Sequence, residues 1–253
     1  MSGKVALVTG GLHRVGAAIA ARLARESYML ALHGRNDGEP DAALAQALAE
    51  TGVAAQIFTA DLADAADVAA LVPDVAAHFG RAPDVLVNNA SLFGQGGWET
   101  LTAESLALHY QVNCAAPVML AKAVVEAAGD GQVPAIVHIL DQRVLNPPAD
   151  QTAYTLSKQA LWQATRTLAV AFGPKARVNA VAPGMTLPTD DFTAGQMERL
   201  AGDMPLGLLP TPEQIADAVA YLAGAKATSG QTIFVDGGAH LTAFRRDFLF
   251  MER

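Results

Sequence analysis

The sequence predicts an α/β fold, and two observations carry that prediction. Short runs of β-branched residues alternate along the chain with alanine-rich stretches of helical period, which is the pattern of repeated βαβ units. The strand runs are apolar without alternation, as expected for strands that are buried on both sides. Together they predict one Rossmann-type, doubly wound parallel sheet of seven strands with helices on both faces.

The individual elements follow from residue type and spacing. The runs rich in Val, Ile and Leu predict strands at residues 4–9, 28–33, 53–59, 84–87, 135–139, 177–181 and 231–235. The stretches rich in Ala, Leu and Glu predict helices at residues 15–25, 41–50, 65–79, 103–109, 117–128, 152–172 and 214–222. No repeat or low-complexity linker interrupts the series, so we expect residues 1–253 to form one domain.

Composition narrows the class of function. The net charge is −8 and the basic residues form no stripe, so nucleic acid is not an expected partner. No run of about 18 apolar residues predicts a membrane span. Cys114 is the one cysteine, and together with the lack of a cleavable leader pattern it makes the cytoplasm the expected location. The histidines lack metal-ligand spacing, so no metal site is expected.

Residues 9–16 read TGGLHRVG and lie between the first strand and the first helix. Gly10 allows a tight turn, and Gly16 allows the helix to approach the strand closely. The N–H groups at the start of the helix, from Val15 onward, favour a pyrophosphate. Arg14 stands where such turns often have a glycine. The alternative is an ordinary βα turn that happens to contain glycines.

The end of the second strand bears on which dinucleotide is bound. NAD sites usually place an acid there, whereas this chain has His33, Arg35 and Asn36. A guanidinium at Arg35 can form a bidentate contact with a 2′-phosphate, which favours NADP(H). An exposed loop arginine is the alternative. Asp61 and Leu62 follow the third strand, where Asp61 either accepts a hydrogen bond from adenine or caps the next helix.

Tyr154 and Lys158 lie four residues apart near the start of a predicted helix, and this spacing places them on one face. A free tyrosine is a poor acid at neutral pH. We expect the Lys158 ammonium to lower the pKa of Tyr154 and make it a proton donor. The spacing alone is weak evidence, because many helices contain it by chance.

The ordered motifs of the chain, namely the glycine-rich turn, Asn88-Asn89-Ala90, Asn113, Tyr154 with Lys158, and Pro183-Gly184, resemble those of the short-chain dehydrogenase/reductase family. The resemblance runs from Thr9 to about Gly238. It implies a catalytic tetrad to which Asn113, Tyr154 and Lys158 belong, with Lys158 on the nicotinamide ribose and Asn113 holding a relay water. It also implies cofactor contacts at Asn89, Ala90, Tyr154, Lys158, Pro183, Gly184 and Thr186.

The family's tetrad serine is replaced here. Its position, thirteen residues before Tyr154, holds Asp141. An ionised carboxylate only accepts hydrogen bonds, so Asp141 suits a substrate that carries N–H groups better than a simple ketone. The alternative is an altered site in which Asp141 merely caps the end of the strand.

Arg14 and Asp141 occur together in one branch of the family, the pteridine reductases. The chain also resembles that branch in the segment NNASLF at residues 88–93. The resemblance implies an NADPH-dependent reductase of a pterin, in which Phe93 stacks on the pterin ring and Arg14, Ser91, Asp141 and Tyr154 contact substrate. The alternatives are a reductase of a ketone, acyl thioester or sugar carbonyl, and a non-catalytic NADP-binding module.

Three further expectations concern segments around the site. Residues 185–204 are expected to form a substrate lid. The aromatic and basic tail at residues 241–253 is expected to pack on a neighbouring subunit. The family resemblance implies a homotetramer with residues 152–172 in one interface, and Trp98 is expected in the core or in an interface.

Overall fold

Seven parallel strands form the centre of the protein and confirm the predicted fold class. The structure is a computed structural model that describes residues 3–94, 96–188, 192 and 195–248. The sheet has the order β3-β2-β1-β4-β5-β6-β7. Its strands are β1 (Val5–Thr9), β2 (Met29–Gly34), β3 (Ala55–Thr59), β4 (Val85–Asn88), β5 (Ala135–Ile139), β6 (Arg177–Pro183) and β7 (Thr232–Val235).

Helices connect the strands and cover the sheet. They are α1 (Arg14–Arg25), α2 (Ala42–Thr51), α3 (Ala65–Phe79), α4 (Ala103–Tyr110), α5 (Ala116–Ala127), α6 (Thr152–Phe172), α7 (Gln196–Asp203) and α8 (Pro212–Gly224). Among the residues described, no helix is both long enough and apolar enough to cross a membrane.

Successive residues of a strand point to opposite faces of the sheet. A hydrophobic core covers each face, so one strand contributes to both cores. In β1, Ala6 and Val8 belong to the core under α1, α2 and α8. Val5 and Leu7 belong to the core on the other face, under α3, α5 and α6. The unbroken apolar runs in the sequence therefore reflect two cores, one on each side of the sheet.

The strand order reverses at β1, which pairs with β2 on one side and with β4 on the other. Ligands of open parallel sheets bind outside the carboxyl ends of the strands at such a reversal. The segments that follow β1, β4, β5 and β6 carry the predicted site motifs. The topology therefore brings these motifs to one edge of the sheet.

Two helical features differ from the prediction. The two helices expected at 103–109 and 117–128 are joined by a π-helical turn at Gln111–Ala115, which contains Asn113. Such turns often lie at functional sites. Helix α7 (Gln196–Asp203) falls inside the expected lid, where no helix was assigned from the sequence. Lid residues 189–191 and 193–194 lie outside the described residues.

The described part of the C-terminal tail folds back on its own chain. The rings of Phe244 and Phe248 meet edge to face with centroids 5.0 Å apart, and they pack with Leu200 and Met204. The described part of the tail therefore covers apolar residues of its own chain, and its expected packing on a neighbouring subunit stays a prediction. Residues 249–253 lie outside the described residues.

Candidate active site

The turn after β1 is shaped by close backbone approaches. Gly10 has a φ of +59°, in the left-handed region that favours glycine. A Cβ on Gly16 would lie 1.9 Å from the Gly10 carbonyl oxygen. The Asn89 amide donates to the carbonyl oxygens of Thr9 and Gly10 at 2.9 and 3.0 Å. Both glycines and Asn89 therefore fix the shape of the turn.

Arg14 keeps the backbone conformation of the glycine that it replaces. Its φ is +56°, which is uncommon for a residue with a side chain. The Arg14 N–H donates to the Asp41 carboxylate at 2.6 Å, and His13 contacts the same carboxylate at 2.8 Å. Among the described residues, the Arg14 guanidinium itself has no hydrogen-bond or ion-pair partner. No sequence pattern predicted the contact with Asp41.

His33 lies beneath the turn. Its Nδ1 accepts from the Gly10 N–H at 3.2 Å, and its Nε2 lies 3.0 Å from the Ala60 carbonyl oxygen. Burial lowers the pKa of His33, so the ring is neutral, with its proton on Nε2. Both ring nitrogens are used by the backbone. His33 therefore supports the turn more directly than it offers a group to a cofactor.

Arg35 lies at the mouth of the same region, with 75% of its side chain exposed and its Nε 3.5 Å from Asp61. Asp61 does not cap α3, because the carboxylate that accepts from the first turn of that helix belongs to Asp64. Asp61 instead accepts from the Ala63 N–H at 3.0 Å. Beside it lies a recess that Leu62 also lines.

We call the cavity beside this turn the glycine-turn cleft. Its volume is about 610 Å³, and it is lined by Gly10, Arg14, Val15, Gly16, His33, Arg35, Asn36, Asn89, Ala90 and Ser91, among others. The backbone turn, the open N-terminus of α1 and the cation at Arg35 fit a dinucleotide with an additional phosphate. No carboxylate stands at residues 33–36.

A second cavity, the tyrosine cleft, adjoins it and has a volume of about 410 Å³. Arg14 and Val15 line both clefts. The structure thus brings together residues from distant parts of the chain. The tyrosine cleft is lined by Arg14, Val15, Phe93, Asp141, Arg143, Tyr154, Pro183, Gly184, Met185, Thr186, Phe192, Asp247 and Phe248, among others.

Asp141, Tyr154 and Lys158 form the polar centre of the tyrosine cleft. The Tyr154 hydroxyl donates to the Asp141 carboxylate at 3.1 Å. The Lys158 ammonium donates to the Ile139 carbonyl oxygen at 2.8 Å and lies 5.8 Å from the centre of the Tyr154 ring. Asp141 also accepts from the Arg143 N–H at 3.0 Å, so it does cap the short turn after β5 while it contacts the tyrosine.

The charges around Tyr154 act against the expected effect of Lys158. Burial raises the pKa of Tyr154 well above its ordinary value, and Asp141 raises it further, whereas Arg143 opposes the shift. The expected lowering of this pKa is wrong for the protein in this structure, because the carboxylate contacts the hydroxyl and the ammonium does not. Burial lowers the pKa of Lys158 to about 8, with Asp141 opposing.

Asn113 joins the segment after β4 to α6. Its amide donates to the Leu92 carbonyl oxygen and to Ser157 at 2.8 and 2.9 Å. Its oxygen accepts from the Leu92 N–H at 2.7 Å and from the Ser91 hydroxyl at 3.2 Å. An asparagine side chain has two donor hydrogens and two acceptor sites. All are used here, so the side chain of Asn113 joins these segments, and the expected relay water at this residue stays a prediction.

Ser91 and Phe93 line different clefts although they are close in sequence. Ser91 lines the glycine-turn cleft, and its expected contact with substrate stays a prediction. Phe93 is 48% exposed and meets the Tyr154 ring edge to face at 4.9 Å. Thr186 donates its hydroxyl to the Gly184 carbonyl oxygen at 2.9 Å at the wall of the tyrosine cleft.

Sequence reasoning missed Arg143 and Asp247. The Arg143 guanidinium donates to the Asp247 carboxylate at 2.6 Å and to the Gln151 side chain. It lies 4.9 Å from the centre of the Tyr154 ring. Arg143 stands two residues after Asp141, which was an available signal. No sequence pattern connects Arg143 to Asp247, which is 104 residues away.

Two other expectations concern metals and Trp98. Within the described ranges, the acidic residues, histidines and cysteine form no cluster of three suited to a metal. Trp98 is 70% exposed, so it is not a core residue.

The chain is similar over nearly its whole length to reductases of several kinds. A family model described as enoyl-(acyl carrier protein) reductase matches residues 11–240. Pteridine reductase 1 of Leishmania tarentolae is 32% identical, with 94% of this chain and 96% of the relative covered. The 3-oxoacyl-acyl-carrier-protein reductase FabG of Pseudomonas aeruginosa is also 32% identical, with coverage of 96% and 99%.

A solved structure with the same fold adds a cofactor to these similarities. It is that of FolM alternative dihydrofolate reductase 1 from Brucella canis in complex with NADP. It superimposes with a TM-score of 0.85 at 38% identity, covering 94% of this chain and 95% of the other.

Proposed function

This chain belongs to the short-chain dehydrogenase/reductase family, and we propose that it is an NADPH-dependent reductase of a pterin. The observation that carries the proposal is the Asp141 carboxylate, which accepts a hydrogen bond from Tyr154 at 3.1 Å inside a cleft that Arg14 and Phe93 also line. Asp141 and Arg14 depart from an ordinary carbonyl-reducing site, and together with Phe93 they suit a flat heterocycle with donors on one edge.

The glycine-turn cleft would hold the cofactor. Gly10, Gly16 and the start of α1 would hold the pyrophosphate, and Arg35 with Asn36 would contact the additional phosphate of NADP(H). When bound, NADPH would supply a hydride to the substrate. The buried Lys158 would orient the nicotinamide ribose. The NADP complex of the Brucella canis relative supports this choice of cofactor.

The substrate occupies the tyrosine cleft. Phe93 offers an aromatic face that is half exposed and therefore available for stacking on a ring. The Asp141 carboxylate accepts from ring or amino N–H groups, which a serine in its place would serve less strongly. The unpartnered guanidinium of Arg14 donates to carbonyl oxygen or ring nitrogen. A simple ketone has no donor to pair with Asp141.

Tyr154 supplies the proton that balances the transferred hydride. Its raised pKa keeps the hydroxyl protonated at neutral pH, as a general acid must be before the reaction. The proton passes to the ring nitrogen next to the carbon that receives the hydride. The resulting phenolate is stabilised by Lys158 and Arg143 and takes a proton back from solvent.

The test is NADPH consumption by the purified protein with a dihydrobiopterin, a dihydrofolate, and a panel of ketones and β-ketoacyl thioesters. We expect kcat/KM for the better pterin substrate to exceed that for any carbonyl compound by about 100-fold, because a carbonyl compound has no donor to pair with Asp141. Turnover of a ketone or thioester with no turnover of either pterin contradicts the proposal.

A second candidate is reduction of a ketone, an acyl thioester or a sugar carbonyl. The family model and the FabG relative support it, and the Tyr154–Lys158 pair serves that chemistry equally well. Against it stands Asp141, whose charge disfavours the oxyanion that develops when a carbonyl is reduced. The same substrate panel separates the two candidates.

We also propose that the protein is a homotetramer in the cytoplasm. Apolar side chains on α4 and α6 support the assembly, since Tyr110 and Leu156 are 54% and 48% exposed and line a shared groove. Exposed patches of this kind mark protein interfaces. Light scattering of the purified protein is expected to give four times the chain mass of 26.2 kDa, and a monomeric mass contradicts the assembly.

A further inference from the structure

Arg143 is a buried cation at the centre of the tyrosine cleft. Its side chain is 6% exposed, although arginine is seldom buried unless it is paired. The guanidinium donates to Asp247 at 2.6 Å, and its Nε lies 3.1 Å from the Asp141 carboxylate. It also donates to Gln151. None of these contacts is needed to bind the cofactor.

These contacts connect three segments that are remote in sequence. Asp141 lies in the loop after β5, Gln151 immediately precedes α6, and Asp247 belongs to the C-terminal tail. Helix α6 carries Tyr154 only three residues after Gln151. The planar fork of a single arginine therefore fixes the relative positions of the carboxylate, the tyrosine helix and the tail, which a lysine cannot do because it lacks the fork.

The two oxygens of Asp141 are used differently. Oδ1 accepts from the Arg143 N–H at 3.0 Å and lies beside Arg143 Nε. Oδ2 accepts from the Tyr154 hydroxyl at 3.1 Å. The backbone N–H and the side chain of Arg143 both lie against Oδ1, which leaves Oδ2 of Asp141 facing the tyrosine.

We propose that Arg143 is a positioning residue that orients the Asp141 carboxylate for substrate, and that Asp247 of the C-terminal tail holds Arg143 in place. The inference rests on the proposed function, since it concerns how Asp141 receives a pterin. It makes residues 244–248 of the same chain part of the active site, not merely a covering of the core.

The experiment compares Arg143→Gln, Arg143→Lys and Asp247→Asn with the native protein. Arg143→Gln is expected to lower kcat/KM for the pterin by about 50-fold, mainly through KM, because a charge-assisted contact is lost at the group that receives substrate. Arg143→Lys is expected to rescue only part of KM.

Asp247→Asn, which retains the size of the side chain, is expected to lower kcat/KM by about fivefold. The affinity of each of the three variants for NADPH is expected to stay within about twofold of the native value, since the substitutions do not touch the glycine-turn cleft. A merely structural role would impair kcat and the affinity for NADPH along with KM for the pterin.

The matched controls are Arg22→Gln and Asp217→Asn. Arg22 also joins two carboxylates, Glu26 and Asp217, but on the surface and away from both clefts. These variants are expected to leave kcat, KM and the pH profile unchanged, since exposed ion pairs contribute little.

Hydrogen exchange supplies a readout that does not depend on pterin turnover. In Arg143→Gln and Asp247→Asn, the amides of residues 244–248 are expected to exchange about tenfold faster than in the native protein or the controls, because the tail has lost one of its contacts with the rest of the chain. If the native protein reduces no pterin, the proposed function fails, and the exchange data still decide whether Arg143 anchors the tail. If it reduces a pterin while these variants keep native KM and native exchange, the present inference is wrong.

Discussion

The two clefts of the active site are built in different ways. In the glycine-turn cleft, polar side chains mostly bond to the backbone: Asn89 holds two carbonyl oxygens of the turn, and His33 bridges Gly10 and Ala60. In the tyrosine cleft, side chains bond to one another, as in the Asp141–Tyr154 and Arg143–Asp247 pairs. The main chain determines the shape of the first cleft, and a network of charged side chains lines the second.

This difference explains how one fold combines a constant cofactor with a variable substrate. A cleft shaped by backbone tolerates few substitutions, because each glycine is fixed by a close contact. A cleft made from side-chain pairs changes its preference when a single residue changes. We therefore expect substitutions in the glycine-turn cleft to affect cofactor affinity, and substitutions in the tyrosine cleft to affect chemistry and choice of substrate.

The largest effect is expected from removal of the proton donor. Tyr154→Phe keeps the ring against Phe93 but lacks the hydroxyl, so kcat for a pterin is expected to fall by about 1000-fold. NADPH affinity, measured by fluorescence titration, stays close to native. A fall in both values would mean that the two clefts are not independent at this residue.

The next largest effect is expected at Gly16, where two backbone segments of the glycine-turn cleft approach closely. The Cβ in Gly16→Ala would overlap the Gly10 carbonyl oxygen, which forces the turn to shift at a cost of about 1–3 kcal/mol. NADPH affinity is expected to fall by about 10- to 100-fold. The control is Gly224→Ala, where an added Cβ meets nothing within 4 Å and binding is expected to be native. Native binding by both variants contradicts the steric account of the turn.

The pH dependence tests the charge network. Burial lowers the pKa of Lys158 to about 8, so the ammonium is charged below that pH and loses its charge as the pH rises through it. Tyr154 keeps its proton over this range because its pKa is raised. Above pH 8, kcat/KM is therefore expected to fall by about tenfold per pH unit. A profile that stays flat up to pH 10 would show that the charge on Lys158 is not required.

The smallest effect is expected at the exposed edge of the glycine-turn cleft. Arg35→Gln is expected to lower the preference for NADPH over NADH by about fivefold, since an exposed ion pair is largely screened by solvent. Steady-state kinetics with both cofactors measure the ratio, and Arg25→Gln on the outside of α1 is the control. An unchanged ratio would remove Arg35 from phosphate recognition.

The sequence predicted those features of the fold and the site that depend on short-range sequence pattern. The seven strands, the turn with Gly10 and Gly16, and the spacing of Tyr154 and Lys158 are each determined by short-range pattern, and the structure has them in the expected places. Asp61 was considered as a possible cap of α3, whereas Asp64 caps this helix. Both stand just before the helix, and nothing in the local sequence distinguishes the acid whose carboxylate reaches the helix N–H group.

The long-range features could not be predicted in this way. Asn113 lies in a π-helical turn that its sequence does not distinguish from an α-helix, and all its amide hydrogen bonds are to residues at least 21 positions away. Asp247 reaches Arg143 only after the whole sheet has formed. The tail, which the composition suggested for a neighbouring subunit, covers apolar residues of its own chain.

The most direct test of the central claim is the ratio of kcat/KM for a dihydropterin to that for a ketone, measured for the native protein and for Asp141→Ser. If the carboxylate selects the pterin, the substitution lowers kcat/KM for the pterin by about 100-fold through loss of a charged hydrogen bond and leaves or raises the value for the ketone. A variant with native circular dichroism that reduces the pterin as well as the native protein does would contradict the account.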